Sequence, residues 1–452
     1  MSLSQKWKPM SHQKYALERL AQGGSQALWV SMGLGKTSIV LSHIQERVSM
    51  LTKVLVIAPP YVAQTVWPDE VAKWEHLSGL KVQVIKGPVE ERRLCMKQGA
   101  DVYCISRNHI QWIVNEHIKW TKKKWKWNKV WPYGLVVLDE AASFKAPDGV
   151  WFKNLARLRR LGVEFINLTG TPSPNGLLDL WAQMYLLDGG QRLGTSMTHY
   201  KEYDFRPSKY MGQRVIGWEP LNPQSIYDRL SDIAVSMRAE DWIELPEVIN
   251  ITVETTLSEG SRALYNTMRD TGVLVGITAG NPGAIGMKLL QISNGAVYDD
   301  HREVVHLHSV KLEATKAIVE DADTPVLVFT SFIHDKERLL AFLPHSETMK
   351  GAQTIKRWNE RKIPVLIAHP AEIGHGLNLQ GGGRHIIWFG IPFNLGDYLQ
   401  ANARLVRTGQ PEDKVIIHHI VGKNTRDEQA LRVLGTKGAT QEQLMEALAY
   451  GD

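Results

Sequence analysis

Five short apolar runs in the first part of the chain all end where chemistry begins. Ala27-Leu28-Trp29-Val30 leads into 32–37 (MGLGKT), 54–58 (VLVIA) ends at Pro59-Pro60, and 101–105 (DVYCI) ends at a polar turn. Leu135-Val136-Val137-Leu138 ends in Asp139-Glu140, and 164–168 (EFINL) ends at Thr169-Gly170-Thr171-Pro172. Runs this short, bounded by turn residues and separated by amphipathic stretches, read as buried strands. Strands that carry polar residues at their C-terminal ends describe a parallel sheet with crossover helices. The fold class is therefore α/β.

A second set of such runs follows at 325–329 (PVLVF), 363–367 (IPVLI), 385–389 (HIIWF) and 414–418 (KVIIH). Between the two sets the periodicity weakens, and Gly, Pro and Tyr become frequent. The chain has 452 residues, which suits about two to three domains at the usual ~150 residues each. The expected division is a first lobe at 1–188, an inserted and partly helical segment at 189–247, and a second lobe at 248–452. Only the first lobe carries a glycine-rich loop.

That loop and the acidic pair define a chemistry. A glycine-rich turn before a helix presents backbone N–H groups to phosphate, and a lysine adds a point charge. Gly33 and Gly35 let the backbone approach, Lys36 neutralises the β- and γ-phosphates, and the Thr37 hydroxyl suits Mg²⁺. Asp139, at a strand end, completes the metal site, and Glu140 is the natural base or orienter for an attacking water. The pair, in this order, implies hydrolysis of a nucleotide such as ATP.

Composition narrows the setting. Hydrophobic residues make up 43% of the chain, enough for real cores. The net charge of +6 and pI near 9.0 suit a polyanionic partner. Cys95 and Cys104 are the two cysteines and form no CxxC pair, which fits a reducing compartment and argues against a disulfide or zinc scaffold. The N-terminus lacks the apolar core of a signal peptide, and no apolar run approaches the ~18 residues of a membrane span. A soluble cytoplasmic protein is expected. His301, His306 and His308 have no cysteine or carboxylate to complete a ligand set, and His418-His419 sits in an apolar strand.

Taken together, these signatures resemble Swi/Snf-type ATPases, a branch of the superfamily two helicases, over almost the whole chain. Gln13 looks like the adenine-reading glutamine, 32–37 like the phosphate loop, and 56–67 with Trp74 like the next motif along the DNA-facing edge. Residues 137–145 (VLDEAASFK) resemble the acidic box and 168–175 (LTGTPSPN) with Leu180-Trp181 the third motif. Ser236-Met237-Arg238 and Leu245-Pro246 fall where the family has arginine-rich and leucine-proline signatures. Ser309 and Lys311 precede 326–332 as in the family's second lobe. Residues 374–379 (GHGLNL) resemble the fifth motif, which brings Gly376 to the nucleotide, and 400–410 (QANARLVRTGQ) resemble the sixth. Three departures stand out. Val30 replaces the glycine of the strict phosphate-loop pattern, Val30-Ser31 replace two acidic residues, and Ala142 replaces the His or Gln that normally ends the box and helps couple hydrolysis to neighbouring motifs.

The resemblance implies two tandem RecA-like lobes, ATP and Mg²⁺ as cofactors, and duplex or branched DNA as partner. Arg404 and Arg407, three apart and read as one face of a helix, become arginine fingers; the bland alternative is a solvated basic face. ATP closes the cleft between lobes, hydrolysis opens it, and each cycle moves DNA by a step. The implied setting is replication, recombination or repair, with the motor acting as a monomer. A translocase and a strand-separating helicase both fit. A non-hydrolysing scaffold would not need Lys36, Asp139 and Glu140, and a nucleotide switch would not need the second lobe.

Two further readings stay open. Thr169 and Thr171 flank Gly170 as a simple turn or as a relay between nucleotide and DNA. Residues 119–131 (KWTKKKWKWNKVW) alternate six lysines with four tryptophans. Lys122, Lys123, Lys124, Trp125 and Lys126 either contact DNA, by phosphate pairing and stacking, or form a solvated basic loop whose indoles cap the core. Trp131 is expected in the core.

Overall fold

In the first lobe, Val, Ile and Leu fill strands that are covered on both faces, which parallel sheets require. The computed structural model describes residues 5–50, 53–121, 124–127, 131–373 and 377–449, with backbone alone at 119–121, 124–127 and 211. The strands are β1 (Gln26–Val30), β2 (Val54–Ala58), β3 (Val82–Ile85), β4 (Val102–Ser106), β5 (Ile118–Thr121), β6 (Lys124–Trp127), β7 (Leu135–Asp139), β8 (Glu164–Thr169), β9 (Phe205–Met211), β10 (Arg214–Pro220) and β11 (Ala234–Met237). All five residues of β1, β2, β4 and β7 are buried.

Seven of these strands form one sheet in the order β11-β1-β8-β7-β2-β4-β3, every pair parallel. The C-terminal ends of β1, β8 and β7 are therefore neighbours. This one fact of topology brings the phosphate loop, the 169–172 turn and the acidic pair side by side. β5–β6 and β9–β10 are separate antiparallel hairpins.

The second lobe holds β12 (Glu247–Thr255), two small hairpins, β13 (Val273–Leu274) with β14 (Ile277–Thr278) and β15 (Ala296–Tyr298) with β16 (Val304–His306), then β17 (Val326–Phe329), β18 (Ser346–Thr348), β19 (Val365–Ala368), β20 (His385–Trp388) and β21 (Lys414–Gly422). Its six-stranded sheet runs β12-β21-β20-β17-β19-β18, again all parallel. Apolar clusters cover both faces, one around Leu327, Trp358 and Trp388, the other around Val328, Leu339 and Phe389. These are two tandem RecA-like lobes.

The contact-defined units are Met1–Ile243 with Ala439–Asp452, and Glu244–Gly438. The expected boundaries after 188 and 247 do not coincide with these. The segment 189–243 belongs to the first unit because Ala234–Met237 adds β11 to its sheet, and the same segment carries the β9–β10 hairpin as well as helices. The last residues also belong to the first unit. Leu444, Met445 and Leu448 enter its core, and the Ser236 N–H donates to the Leu448 carbonyl at 2.9 Å. That bond covers an otherwise open sheet edge.

A buried polar network anchors the start of the C-terminal helix Arg426–Ala447 within the second unit. Lys311 and Asp427, both fully buried, pair at 2.7 Å. Lys311 also donates to Asn294 Oδ1 at 2.9 Å and to the Phe389 carbonyl at 3.2 Å, and Asp427 accepts from the Gly422 N–H at 2.9 Å. A buried charge pair is tolerated only when its remaining valences are met in this way.

Candidate active site

Residues 31–35 leave β1 as a tight loop and enter the helix Lys36–Arg47. Gly33 and Gly35 have φ of 87° and 80°, the left-handed region that residues with a Cβ avoid. At Gly35 space forbids a side chain as well. A Cβ there would stand 2.6 Å from Gln13 Nε2 and 2.9 Å from Ser38 Oγ. Gln13 is thus packed against the phosphate loop. Its Oε1 accepts from the Met10 N–H at 3.0 Å, and its Nε2 donates to the Leu34 carbonyl at 3.3 Å. His12 Nε2 donates to the same carbonyl at 3.0 Å, and burial holds its pKa below the usual imidazole value.

Lys36 Nζ donates to the Val30 carbonyl at 2.8 Å and to Ser31 O at 3.4 Å. Where the resemblance leads one to expect two acidic residues, the carbonyls of Val30, at the end of β1, and of Ser31, at the start of the loop, hold the ammonium. Thr37 is half-buried in the first turn of the helix.

Asp139 ends β7 and is buried. Its Oδ2 accepts from the Trp67 indole at 3.0 Å and its Oδ1 from the Glu140 N–H at 3.0 Å. Burial, and next the Glu140 carboxylate, push the Asp139 carboxyl up; the Trp67 N–H and the Lys36 ammonium pull it back. Lys36, Asp139 and Glu140 therefore share one electrostatic site. Glu140 has φ 55° and ψ 55°, a left-handed conformation that costs about 1–3 kcal/mol in a non-glycine residue and gathers at functional sites. The two hydrogen bonds that Asp139 accepts, from the Trp67 indole and the Glu140 N–H, leave carboxylate lone pairs for a hydrated Mg²⁺. Among the described residues no group of three His, Cys, Asp or Glu could hold a metal. Thr37 and Asp139 fit the sparse protein share of a Mg²⁺ site whose other ligands are water and phosphate.

The third strand end completes the arrangement. Thr169 and Thr171 are buried, and the Thr171 N–H donates to Thr169 Oγ1 at 3.0 Å. A Cβ on Gly170 would be 3.3 Å from the Val30 carbonyl, so this turn lies directly on the root of the phosphate loop. Three links were missed by sequence reasoning. Arg107 donates to Ser143 Oγ at 2.6 Å and feels the Glu140 charge. Lys145, the last residue of the 137–145 stretch, pairs with Asp179 Oδ2 at 3.1 Å. The same oxygen accepts from the Asn175 backbone at 2.9 Å. The only sequence signal for these was their position inside or beside the motifs.

In the second unit, Arg404 and Arg407 do not lie on a helix. The Leu395–Asn402 helix ends before them, where i→i−3 bonds such as Leu405 N to the Asn402 carbonyl replace the α ladder. Both side chains still converge. Each donates to the Leu377 carbonyl, at 3.1 Å from Arg404 and 3.4 Å from Arg407, and Arg407 also reaches Asn378 Oδ1 at 2.7 Å. This ties the sixth motif to the fifth. Gly376, Lys122 and Lys123 lie outside the described residues. Lys124, Trp125 and Lys126 lie on β6 of the β5–β6 hairpin, so the lysine- and tryptophan-rich stretch contains a hairpin where a loop was one of the readings. Trp131 is partly buried against the first core, edge-on to Tyr133 at 5.1 Å.

A phosphate loop, its lysine and an acidic pair on adjacent strand ends, followed by a second parallel α/β unit, define a helicase-type ATP-hydrolysing enzyme. A model of the SNF2-related domain matches residues 14–296. The chain is 35% identical to putative protein p41 of Acyrthosiphon pisum secondary endosymbiont phage 1, over 97% of this chain and 98% of that one. It is 25% identical to the putative ATP-dependent helicase/translocase YwqA of Bacillus subtilis (strain 168), over 96% of this chain but only 48% of YwqA. Among solved structures it resembles the Sulfolobus solfataricus SWI2/SNF2 ATPase core in complex with dsDNA, at 20% identity and a TM-score of 0.44, covering 98% of this chain and 94% of that one. The chain belongs to the SNF2-related family of helicase-like ATPases.

Proposed function

We propose that this ATPase is a translocase on duplex or branched DNA, acting as a monomer in replication, recombination or repair. The observation that carries the reading is the contact of Gly170 with the root of the phosphate loop. It gives nucleotide hydrolysis a mechanical outlet at a neighbouring strand end. Family membership and the helicase/translocase description of YwqA support it.

In this reading Lys36 neutralises the β- and γ-phosphates of ATP and the 33–37 backbone cradles them. Glu140 orients the attacking water, and Gln13 and Gly376 help seat the nucleotide. Thr37 and Asp139 hold Mg²⁺, which when bound neutralises charge on the phosphates. Arg404 and Arg407 act as fingers on the γ-phosphate, an effect worth about 10³–10⁵ in rate in nucleotide hydrolases. Thr169 and Thr171, being buried, act through the turn they form. Lys122 to Lys126 contact the DNA backbone.

A second reading, strand separation, is favoured by the β5–β6 hairpin, a shape able to serve as a wedge. ATP hydrolysis measured without DNA and with single-stranded, duplex and forked DNA, beside triplex displacement, separates the two. Stimulation by duplex with triplex displacement and no unwinding is expected. Stimulation by single strands with unwinding of the fork would replace translocation with strand separation.

A further inference from the structure

The six strands of the second sheet are parallel, so their C-terminal ends share one edge. The segments that the family resemblance marks leave from that edge: 330–332 after β17, 377–379 after β19, and Arg404 and Arg407 after β20. Asn424-Thr425-Arg426 leaves it too, after β21, and nothing above gives these residues a role. Here the helices Glu259–Thr271 and Pro282–Asn294 and the start of the C-terminal helix enclose a groove of about 560 Å³. Arg269, Arg426 and Arg432 line it with Gln429 and Thr436, and among the described residues no carboxylate does.

The groove is built rather than incidental. Arg426 Nε and NH2 lie where a Cβ on residue 286 would be only 3.0 Å away, so Gly286 makes the room for them. The guanidinium stands over the Phe393 ring at 5.4 Å, and the Arg426 N–H donates to Tyr265 OH at 2.7 Å. The next residue, Asp427, is locked into the buried pair with Lys311. Arg426 Nε is buried with no hydrogen-bond partner among the described residues. Arg432 is exposed, its Nε donating to the Glu428 carbonyl at 3.4 Å. Arg269 is paired with Asp270 at 2.7 Å, and Glu428 accepts from the Asn424 N–H at 2.7 Å. The positive excess therefore rests on Arg426 and Arg432.

We propose that this groove takes backbone phosphates of the nucleic acid, as a contact patch on the second lobe. The inference rests on the DNA reading above. Guanidinium forks match phosphate oxygens, and Gln429 and Thr436 supply neutral donors beside them. The one aromatic residue in the lining, Tyr265, is 3% exposed and offers no face for stacking. The contact is thus to phosphate, which positions the track without reading sequence.

The test is anisotropy of a labelled duplex against the full chain over a salt series. Two variants are compared with wild type, Arg426→Ala/Arg432→Ala and Arg432→Glu, the second confined to an exposed side chain. Each phosphate contact contributes about 0.9 to the slope of log affinity on log salt. The double variant should lose about 2 from that slope and about tenfold in affinity at ~0.1 M salt, equally for unrelated sequences. The Arg432→Glu protein should melt like wild type and still bind more weakly. Unchanged affinity and slope in both variants, with wild type binding duplex, would overturn the groove and leave the DNA reading standing. A wild type that binds no DNA even at low salt would sink the reading itself. Loss of polyglutamate binding with DNA binding intact would assign the groove to an acidic protein instead.

Discussion

The Trp67 indole donates to Asp139 Oδ2 across 72 residues of sequence, at 3.0 Å in the buried heart of the first lobe. The bond opposes the burial that pushes this carboxyl up. A hydrogen bond to a charged group contributes about 1.5–3 kcal/mol, or about one to two pKa units. Trp67→Phe keeps an aromatic ring but removes the donor, so the Asp139 pKa should rise. The acid limb of the ATPase pH profile should move to higher pH by about one unit. An unmoved acid limb would mean that the indole does not tune the carboxylate.

Glu140 combines a catalytic expectation with a strained backbone. Asn adopts the left-handed region more readily than Glu. Glu140→Asn should leave the melting temperature equal or higher, retain ATP binding, and lose turnover. Near-normal hydrolysis in this variant, or in Glu140→Gln, would remove the side chain from the orienting role. Lys36→Ala should also lose turnover, together with nucleotide affinity.

Ala142 cannot make the link usually assigned to the last residue of the acidic box, and Asp179 supplies another. It joins Lys145, at the end of the 137–145 stretch, to Asn175, at the end of the 168–175 motif. Asp179→Ala should lower the stimulation of ATPase by DNA about tenfold, the worth of one charge-assisted bond, while hydrolysis without DNA persists. Asp179→Glu should restore part of the stimulation. Equal loss with and without DNA would make the residue merely structural.

Gly35 and Gln13 are coupled by space. Gly35→Ala places a Cβ 2.6 Å from Gln13 Nε2 and in a left-handed backbone, a conformation that costs about 1–2 kcal/mol on its own. ATP affinity should fall. Adding Gln13→Ala removes that contact but leaves the Ser38 Oγ contact at 2.9 Å, the backbone cost and the loss of Gln13 itself, so the double variant should lose less affinity than the two single losses summed. A double-mutant coupling below about 0.5 kcal/mol would show that the two sites are independent.

All nine apolar runs read as strands are strands, because a run covered on both faces needs no partner to identify it. β12 was not legible for the opposite reason. It is an edge strand with most residues at least partly exposed, and its Glu247 and Glu254 look like loop polarity. β11 is four residues long within a stretch rich in turn residues. The return of Leu444, Met445 and Leu448 to the first core leaves no mark, since helix Arg426–Ala447 runs on without interruption through Gly435 and Gly438. At the site, residue types and order were readable, but Lys36 on the Val30 carbonyl, the φ of Glu140 and the shared Leu377 carbonyl are properties of chain geometry. Spacing put Arg404 and Arg407 on a helix, and the turn after Asn402 took them off it.

Three buried imidazoles predict how the protein responds to acid. Burial, as the largest cause, depresses His43, His418 and His419 to about 4. The Asp323 carboxylate accepts from His385 Nε2 at 3.0 Å, so in the neutral ring His385 Nδ1 accepts from His418 Nε2 at 3.2 Å. His419 Nε2 meets the Tyr398 hydroxyl at 3.0 Å, and His43 Nε2 accepts from Arg47 at 3.1 Å. Each ring titrates near 6.5 in the unfolded chain. Between about pH 6.5 and 4 the unfolded state therefore binds more protons, so stability is fully present above that window and falls as pH drops through it. Each ring should cost about 2 kcal/mol at pH 5 relative to pH 7. Two of the three lie in the second unit, whose urea midpoint should fall further between pH 7 and pH 5 than that of the first. His43→Leu should weaken the acid response of the first unit and leave that of the second unchanged. Urea midpoints that match at pH 5 and pH 7 would show that these rings protonate in the folded state without cost.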